Sequence, residues 1–209
     1  MPRDHESEAE TRKARIDPRL TAAGWDAEPS DGGAGVRRLS ELLTIAGPAD
    51  YALQDGDTIR AVVEAKKVTI GPQGVLTQAE RYSRGIHQEP AYQGEFGVPF
   101  LYSSNGPIIW FHDVRHPLNR SRKVAAFHTP PALAEMMTRD FDAEFAKLDE
   151  LSHSPILRPY QIGANAAIEQ AMRERKRTLL VTMATGTGKT LAMVNEVYRV
   201  MKSGVARRV

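Results

Sequence analysis

The stretch Gly47-Pro48-Ala49-Asp50-Tyr51-Ala52-Leu53-Gln54-Asp55-Gly56-Asp57-Thr58-Ile59-Arg60-Ala61-Val62-Val63-Glu64-Ala65-Lys66 decides how this chain folds. Two short apolar runs, Ala49 to Leu53 and Ile59 to Ala65, flank an Asp-Gly pair, a strong hairpin signal. Side chains alternate along a strand, so Glu64 and Lys66 share one face while Val63 and Ala65 take the other. Charges inside so apolar and β-branched a run are costly unless they have partners or a task. Two carboxylates converging from adjacent strands are hard oxygen ligands for Mg²⁺, and the Ala65 carbonyl can add a third. A lysine beside them can orient a water or stabilise charge developing on a phosphate. Register decides whether they converge. A two-residue turn at Asp55-Gly56 sets Asp50 opposite Ala61, with Glu64 on the far face. An odd loop or a bulge is required, and it is expected to bring Asp50 opposite Val62.

Outward from the hairpin, a helix is expected over 7–25, capped by Ser7 with Glu10, interrupted at Pro18 and stopped at Gly24. A loop covers 29–35 and a strand is expected over Leu39 to Leu43. After Lys66 come a loop at 71–74 and a helix over 75–86 with Thr77 as its cap. On that helix the i,i+4 spacing puts Gln78 and Tyr82 on one face. Strands follow at Val98 to Tyr102 and Ile108 to His112, and Pro130-Pro131 opens a helix to about Lys147. A second unit begins near Leu157, with a helix over 159–174, a buried strand over 178–183 and a helix from Gly188 to about Met201.

That second unit carries the most specific motif, Met183-Ala184-Thr185-Gly186-Thr187-Gly188-Lys189-Thr190. Between a strand and a helix, Gly186 and Gly188 let successive N–H groups point at a phosphate, helped by the helix N-terminus. Thr187 belongs to the same nucleotide-binding set, Lys189 would reach the β/γ-phosphates of ATP, and the Thr190 hydroxyl would go to Mg²⁺. Upstream, Gln161 follows Leu157-Arg158-Pro159-Tyr160. Only 19 residues follow Thr190, without an Asp-Glu pair. The expectation is therefore the truncated start of a nucleotide-driven motor, a fragment with an incomplete ATP site.

Composition sets the frame. The chain has 209 residues, 41% hydrophobic and 26% charged, with no cysteine, which excludes disulfides, thiol catalysis and Cys-based zinc sites. No run is long and apolar enough for a membrane span, and the charged start does not read as a signal peptide, so the expected location is cytoplasmic. The net charge of +2 hides an asymmetry: residues 172–209 carry nine Lys/Arg against Glu174 and Glu196, which leaves −5 for residues 1–171. A basic end suits nucleic acid or nucleotide phosphates, and equally a solvated helix face. Arg115, Arg120, Arg122 and Lys123 are candidates either for DNA phosphates or for a solvated basic loop; Trp25 and Trp110 are expected in the core.

Asp50 followed by Glu64-x-Lys66 resembles the D…E-x-K pattern of restriction-endonuclease-like nucleases, and the Gln78-x-x-x-Tyr82 helix after it resembles RecB-like members. The A-x-x-G-x-G-K-T loop resembles that of DNA and RNA translocases, and Gln161 looks like the adenine-reading Gln of superfamily 2 helicases. In order along the chain, Glu8 to Arg12, Ile16-Asp17-Pro18, Gly24-Trp25, Ala49 to Tyr51, Val62 to Lys66, Gln78 to Tyr82, Ser103 to Gly106, Phe127 to Pro130, Leu157 to Gln161 and Met183 to Thr190 resemble the N-terminal part of the R subunit of type I restriction–modification enzymes. The resemblance implies an α/β fold. A PD-(D/E)xK-type nuclease domain, a mixed sheet flanked by helices, would span 1–150. The start of a RecA-like P-loop helicase domain would span 151–209.

The same resemblance implies Mg²⁺-dependent cleavage of double-stranded DNA, coupled to ATP-driven translocation, by a site-specific deoxyribonuclease that assembles with specificity and methylation subunits. Its catalytic set would be Asp50, Glu64, Lys66, Gln78 and Tyr82, with Asp50 and Glu64 on the metal; an early acid, Glu8 or Glu10, would approach it, or both are surface charge on the first helix. Two other readings stay open: a non-catalytic module that binds DNA or partner subunits, and a nucleotide-binding protein with an unrelated N-terminal domain.

Overall fold

A computed structural model describes residues 6–27, 35–67, 69–71, 76–88, 90–92, 95–176 and 178–206. The expected loops at 29–35 and 71–74 fall almost wholly outside these residues. The chain divides into two compact units, Met1–Thr138 and Arg139–Val209.

The first unit is built on a six-stranded sheet in sequential order, β1 (Arg37–Thr44), β2 (Gly47–Asp55), β3 (Thr58–Ala65), β4 (Phe100–Ser104), β5 (Ile109–Asp113) and β6 (Arg122–Val124). All neighbours are antiparallel except β3 and β4, which run parallel. A parallel pair needs a crossover, and helix α3 (Leu76–Arg84) lies within it. The five residues Ala61 to Ala65 are all buried, because β3 is covered on both faces. On one face Ala61, Val63 and Ala65 join Tyr51, Leu53, Phe100, Tyr102 and Trp25; on the other Val62 and Leu101 pack with Leu76 and Ala79 of α3. The Trp25 indole N–H donates to the His128 carbonyl at 2.8 Å, tying the N-terminal helices to the far end of the unit.

The N-terminal helix is in three pieces. Ser7 and Glu10 form a capping box on α1 (Glu8–Thr11), as expected. A π-helical turn, Arg12–Ile16, follows before α2 (Asp17–Ala22). Its cause is Pro18, whose ring cannot sit under the carbonyl four residues back, so the chain widens and the Asp17 N–H donates to the Arg12 carbonyl. The helix expected from Pro130 to Lys147 is instead two, α4 (Pro130–Met137) and α5 (Phe141–Glu150). Asp140 caps α5 by accepting the Ala143 N–H at 3.0 Å, and its extended backbone breaks the run.

The second unit contains α5, α6 (Pro159–Arg173) and α7 (Lys189–Ser203), so α5 clusters with the residues that follow it rather than with the 1–150 domain. Phe145, Leu148 and Val200 form its small core. Arg199, buried, donates to Glu169 at 2.7 Å and to the Leu148 and Leu151 carbonyls. The strand expected over 178–183 is not formed, and Leu180 is 89% exposed. Among the described residues no strand lies in this unit to accept its backbone hydrogen bonds, and an isolated strand does not hold.

Candidate active site

The hairpin places the paired acids. Its turn is Gly56-Asp57, since Asp55 pairs with Thr58 and Gln54 with Ile59. The register then shifts: Leu53 pairs with Ala61, Ala52 with Val62 and Tyr51 with Val63. The required bulge is therefore present, with Arg60 as the extra residue. Its outcome differs by two residues from the expected pairing, since Ala52 and not Asp50 faces Val62. Continued one step, the register puts Asp50 directly across from Glu64. The β-branched run and the Asp-Gly pair do form a hairpin, and the extra residue at Arg60 sets its register.

Glu64 is 2% exposed. Its Oε1 accepts from Lys66 Nζ at 2.6 Å, while its buried Oε2 has no hydrogen-bond partner among the described residues. Burial pushes the carboxyl up to about 7, with the Asp50 and Glu8 charges adding to the rise and Lys66 opposing it. Asp50 Oδ2 accepts the Ala65 main-chain N–H at 2.7 Å, locking the carboxylate onto the neighbouring strand. The end of β3 is pinned from the other side, where the Lys66 N–H donates to the Ser104 carbonyl at 2.9 Å.

The early acids separate. Glu10 is spent on the capping box, accepting the Ser7 N–H at 2.7 Å, whereas Glu8 Oε2 comes to 3.9 Å from Lys66 Nζ. Gln78 Nε2 donates to the Tyr82 hydroxyl at 2.9 Å, and Tyr82 packs near Gly47 at the start of β2. The polar contact shown for this pair is thus internal to α3. Among the described residues, no group of three or more His, Asp or Glu side chains is arranged to hold a metal. A hard cation here would have two carboxylates and a main-chain carbonyl. The orphaned, desolvated Glu64 Oε2 beside Asp50 is the donor chemistry such an ion requires.

Two residues that sequence reasoning did not assign to the site lie against it. Arg12, from the π turn, donates to Asp50 Oδ1 at 3.3 Å, to the Asp50 carbonyl at 3.1 Å and to Glu41 Oε1 at 3.0 Å, with its guanidinium over the Tyr51 ring. Glu41 sits in β1 between the pairs Ser40–Tyr51 and Leu42–Ala49, hence opposite Asp50, with φ of 56°. No sequence signal marks a non-glycine residue with positive φ inside a strand. Arg115, a candidate for DNA phosphates, is instead structural: its guanidinium is held by Asp113 at 2.8–2.9 Å and by the Met136 carbonyl.

In the second unit Gly186 and Gly188 adopt φ of 80° and 75°, the left-handed conformation that permits the phosphate loop to curl into α7. Lys189 Nζ turns back to the Met183 carbonyl at 2.9 Å, and Thr190 is exposed at the first turn of α7. Gln161 is buried against this loop. It accepts the Arg158 N–H at 2.8 Å and donates to the Thr187 and Gly188 carbonyls at 2.9 and 3.1 Å. A Cβ on Gly188 would lie 2.5 Å from the Gln161 amide nitrogen, so Gly188 and Gln161 are fitted to one another.

With this geometry in place, similarity to known proteins is informative. Residues 38–137 match the family model for the second domain of the type I restriction enzyme EcoKI endonuclease subunit, and residues 154–209 match that for the type III restriction enzyme res subunit. The EcoKI endonuclease subunit of Escherichia coli (strain K12) is 30% identical over an alignment covering 97% of this chain and 22% of that protein. The EcoAI endonuclease subunit of Escherichia coli is 27% identical, with 97% of this chain and 26% of that protein covered. The chain thus spans about a quarter, or less, of the length of these relatives. A solved fragment of a candidate HsdR subunit of a type I restriction enzyme from Vibrio vulnificus YJ016 superposes with a TM-score of 0.51 at 25% identity, over 94% of this chain and 38% of that one.

Proposed function

From the membership of this chain in the type I restriction enzyme R-subunit family, whose N-terminal part it matches, we propose that its first unit is a Mg²⁺-dependent nuclease domain acting on double-stranded DNA. The single observation that carries this reading is the bulged register that sets Asp50 across from a buried, half-satisfied Glu64 with Lys66 at 2.6 Å. Asp50, Glu64 and the Ala65 carbonyl would hold the ion, which when bound polarises a phosphodiester and lowers the pKa of a water. The Ala65 N–H holds the Asp50 carboxylate in place, and Lys66 stands beside Glu64 to orient a water or offset charge growing on phosphate. Gln78 and Tyr82 would line the DNA approach, and Glu8 would add negative charge near Lys66. The PD-(D/E)xK-type fold belongs to the same reading.

The second unit is proposed to begin an ATP-binding helicase-like domain, with Gly186, Thr187, Gly188, Lys189 and Thr190 receiving the phosphates and Mg²⁺. Gln161 serves chiefly to brace the loop, since its amide is engaged there on both sides. Coupling to translocation and assembly with specificity and methylation subunits are expected of the longer protein. A second reading, a module that binds DNA without cutting it, is favoured by one observation: both Asp50 oxygens already have donors, Arg12 and the Ala65 N–H.

Plasmid nicking in Mg²⁺ or Mn²⁺ separates the two. Nicking by the wild type that is lost in Asp50→Asn and in Lys66→Ala supports the nuclease. Nicking that persists in both variants refutes this site. A wild type that shifts DNA on a gel without nicking it, and a Lys66→Ala variant that does the same, support the binding module.

A further inference from the structure

We infer that Arg12 is an electrostatic latch on the candidate metal site: it occupies Asp50 when no cation is bound and has Glu41 as its second seat. This rests on the proposed nuclease reading and adds its regulation by the chain's own residues. Among the described residues three hydrogen bonds hold the Arg12 guanidinium, and they are unequal. The Glu41 carboxylate at 3.0 Å and the Asp50 main-chain carbonyl at 3.1 Å anchor the guanidinium; the Asp50 carboxylate at 3.3 Å is the longest of the three. The anchoring contacts do not involve Asp50 Oδ1. Arg12 can therefore give up that oxygen to a cation while keeping its place over the Tyr51 ring, 4.7 Å from the centroid.

Asp50 does not need Arg12 for its orientation. The β2–β3 register and the Ala65 N–H at 2.7 Å on Oδ2 already fix the carboxylate. What Arg12 supplies is charge. Without a cation, Asp50 faces the buried Glu64 across the hairpin, and like charges directly opposite on neighbouring strands repel. A guanidinium resting on Oδ1 offsets that repulsion, and a divalent ion arriving at the same oxygens must displace or oppose it. Glu41 is built for the exchange. A non-glycine residue at φ of 56° within a strand is strained, and such strain is retained where the surrounding structure requires a particular placement. Here it faces Asp50 across β1 and β2, with its carboxylate on Arg12 and 69% exposed, so Glu41 can hold the displaced guanidinium at little desolvation cost.

The latch makes predictions of opposite sign for its two members. Mn²⁺ binding to the chain, in the absence of DNA, is measured by titration calorimetry and by loss of the free-ion electron paramagnetic resonance signal. Arg12→Gln removes the competing charge and should tighten Mn²⁺ binding by about tenfold. Glu41→Gln removes the second seat, leaves Arg12 on Asp50 and should weaken binding several-fold, on the order of half a Coulomb contact. Glu41 is exposed, so this variant is expected to fold, and a thermal melt of each variant is run alongside.

If Arg12 instead positions Asp50, Arg12→Gln weakens Mn²⁺ binding, and the latch is overturned while the metal site stands. If both variants lower the melting temperature and leave Mn²⁺ affinity unchanged, the role is structural and the latch is again overturned. If the wild type takes up no Mn²⁺ that Asp50→Asn abolishes, the metal site and the latch fall together.

Discussion

Removing the lysine from the Glu64–Lys66 pair should destabilise the first unit in a pH-dependent way. Lys66→Met leaves Glu64, 2% exposed, with one oxygen that has lost the ammonium at 2.6 Å and another that has no partner among the described residues. The wild-type carboxyl, at about 7 against an ordinary 4.5, is already held up by burial, with Lys66 opposing the rise. An acid whose folded pKa is raised costs stability as pH climbs from the unfolded value through the folded one, and the cost is complete above it. The full shift corresponds to about 3 kcal/mol at 1.36 kcal/mol per unit, and roughly half of that after allowance for solvent screening past Lys66.

Without the lysine, the carboxyl rises further and the costly interval extends upward. Lys66→Met should therefore cost about 1–2 kcal/mol more at pH 8.5 than at pH 5.5, where Glu64 is neutral in both proteins. Both tryptophans, Trp25 and Trp110, belong to the first unit, so urea unfolding followed by tryptophan fluorescence in EDTA reads that unit alone. In a Glu64→Gln background the pH-dependent part should vanish. An equal loss at both pH values, or the same pH dependence in the Glu64→Gln background, refutes the assignment of a buried, lysine-dependent carboxylate.

Three further outcomes follow from the packing. Leu101→Ala on β4, fully buried against Val62 and α3, should cost about 2–5 kcal/mol in the same fluorescence-detected melt. Glu196→Gln should stabilise the second unit by about 1–2 kcal/mol at pH 8.5 and little near pH 4.5, as hydrogen exchange of α7 amides would show. Burial and the neighbouring Glu169 push the Glu196 carboxyl up to about 7, so its charged form is the unfavourable one, and the gain is fullest above that pH. Gly188→Ala meets the Gln161 amide at 2.5 Å in a left-handed backbone; equilibrium dialysis should find ATP binding by a chain with a complete motor domain reduced at least tenfold.

The fold was legible in the sequence where a local rule acts alone. The Asp-Gly hairpin, the Ser7–Glu10 cap, the Pro130-Pro131 helix start and the glycines of the phosphate loop each follow from one residue's conformational preference. The candidate site was legible as a requirement, an odd loop or a bulge, but not as a register, because the position of the shift at Leu53/Gln54 is not marked by any residue's own conformational preference. The strand at 178–183 failed because a strand is a pairing and not a property of its own residues. Arg12 and Glu41 were out of reach, since their roles depend on a π turn beside Pro18 and a positive φ in β1. Arg115 is no free basic side chain because Asp113, two residues away, takes up its guanidinium, a pairing that spacing alone does not mark.

Asp50 and Glu64 are proposed to form one cation site beside Lys66. Anomalous diffraction from a crystal of the chain soaked in Mn²⁺ tests it most directly. A peak is expected within about 2.1–2.3 Å of an oxygen from each carboxylate, near the Ala65 carbonyl, with Lys66 Nζ alongside. A peak elsewhere, or no peak while the two carboxylates stay on Arg12, Ala65 N–H and Lys66, would contradict it.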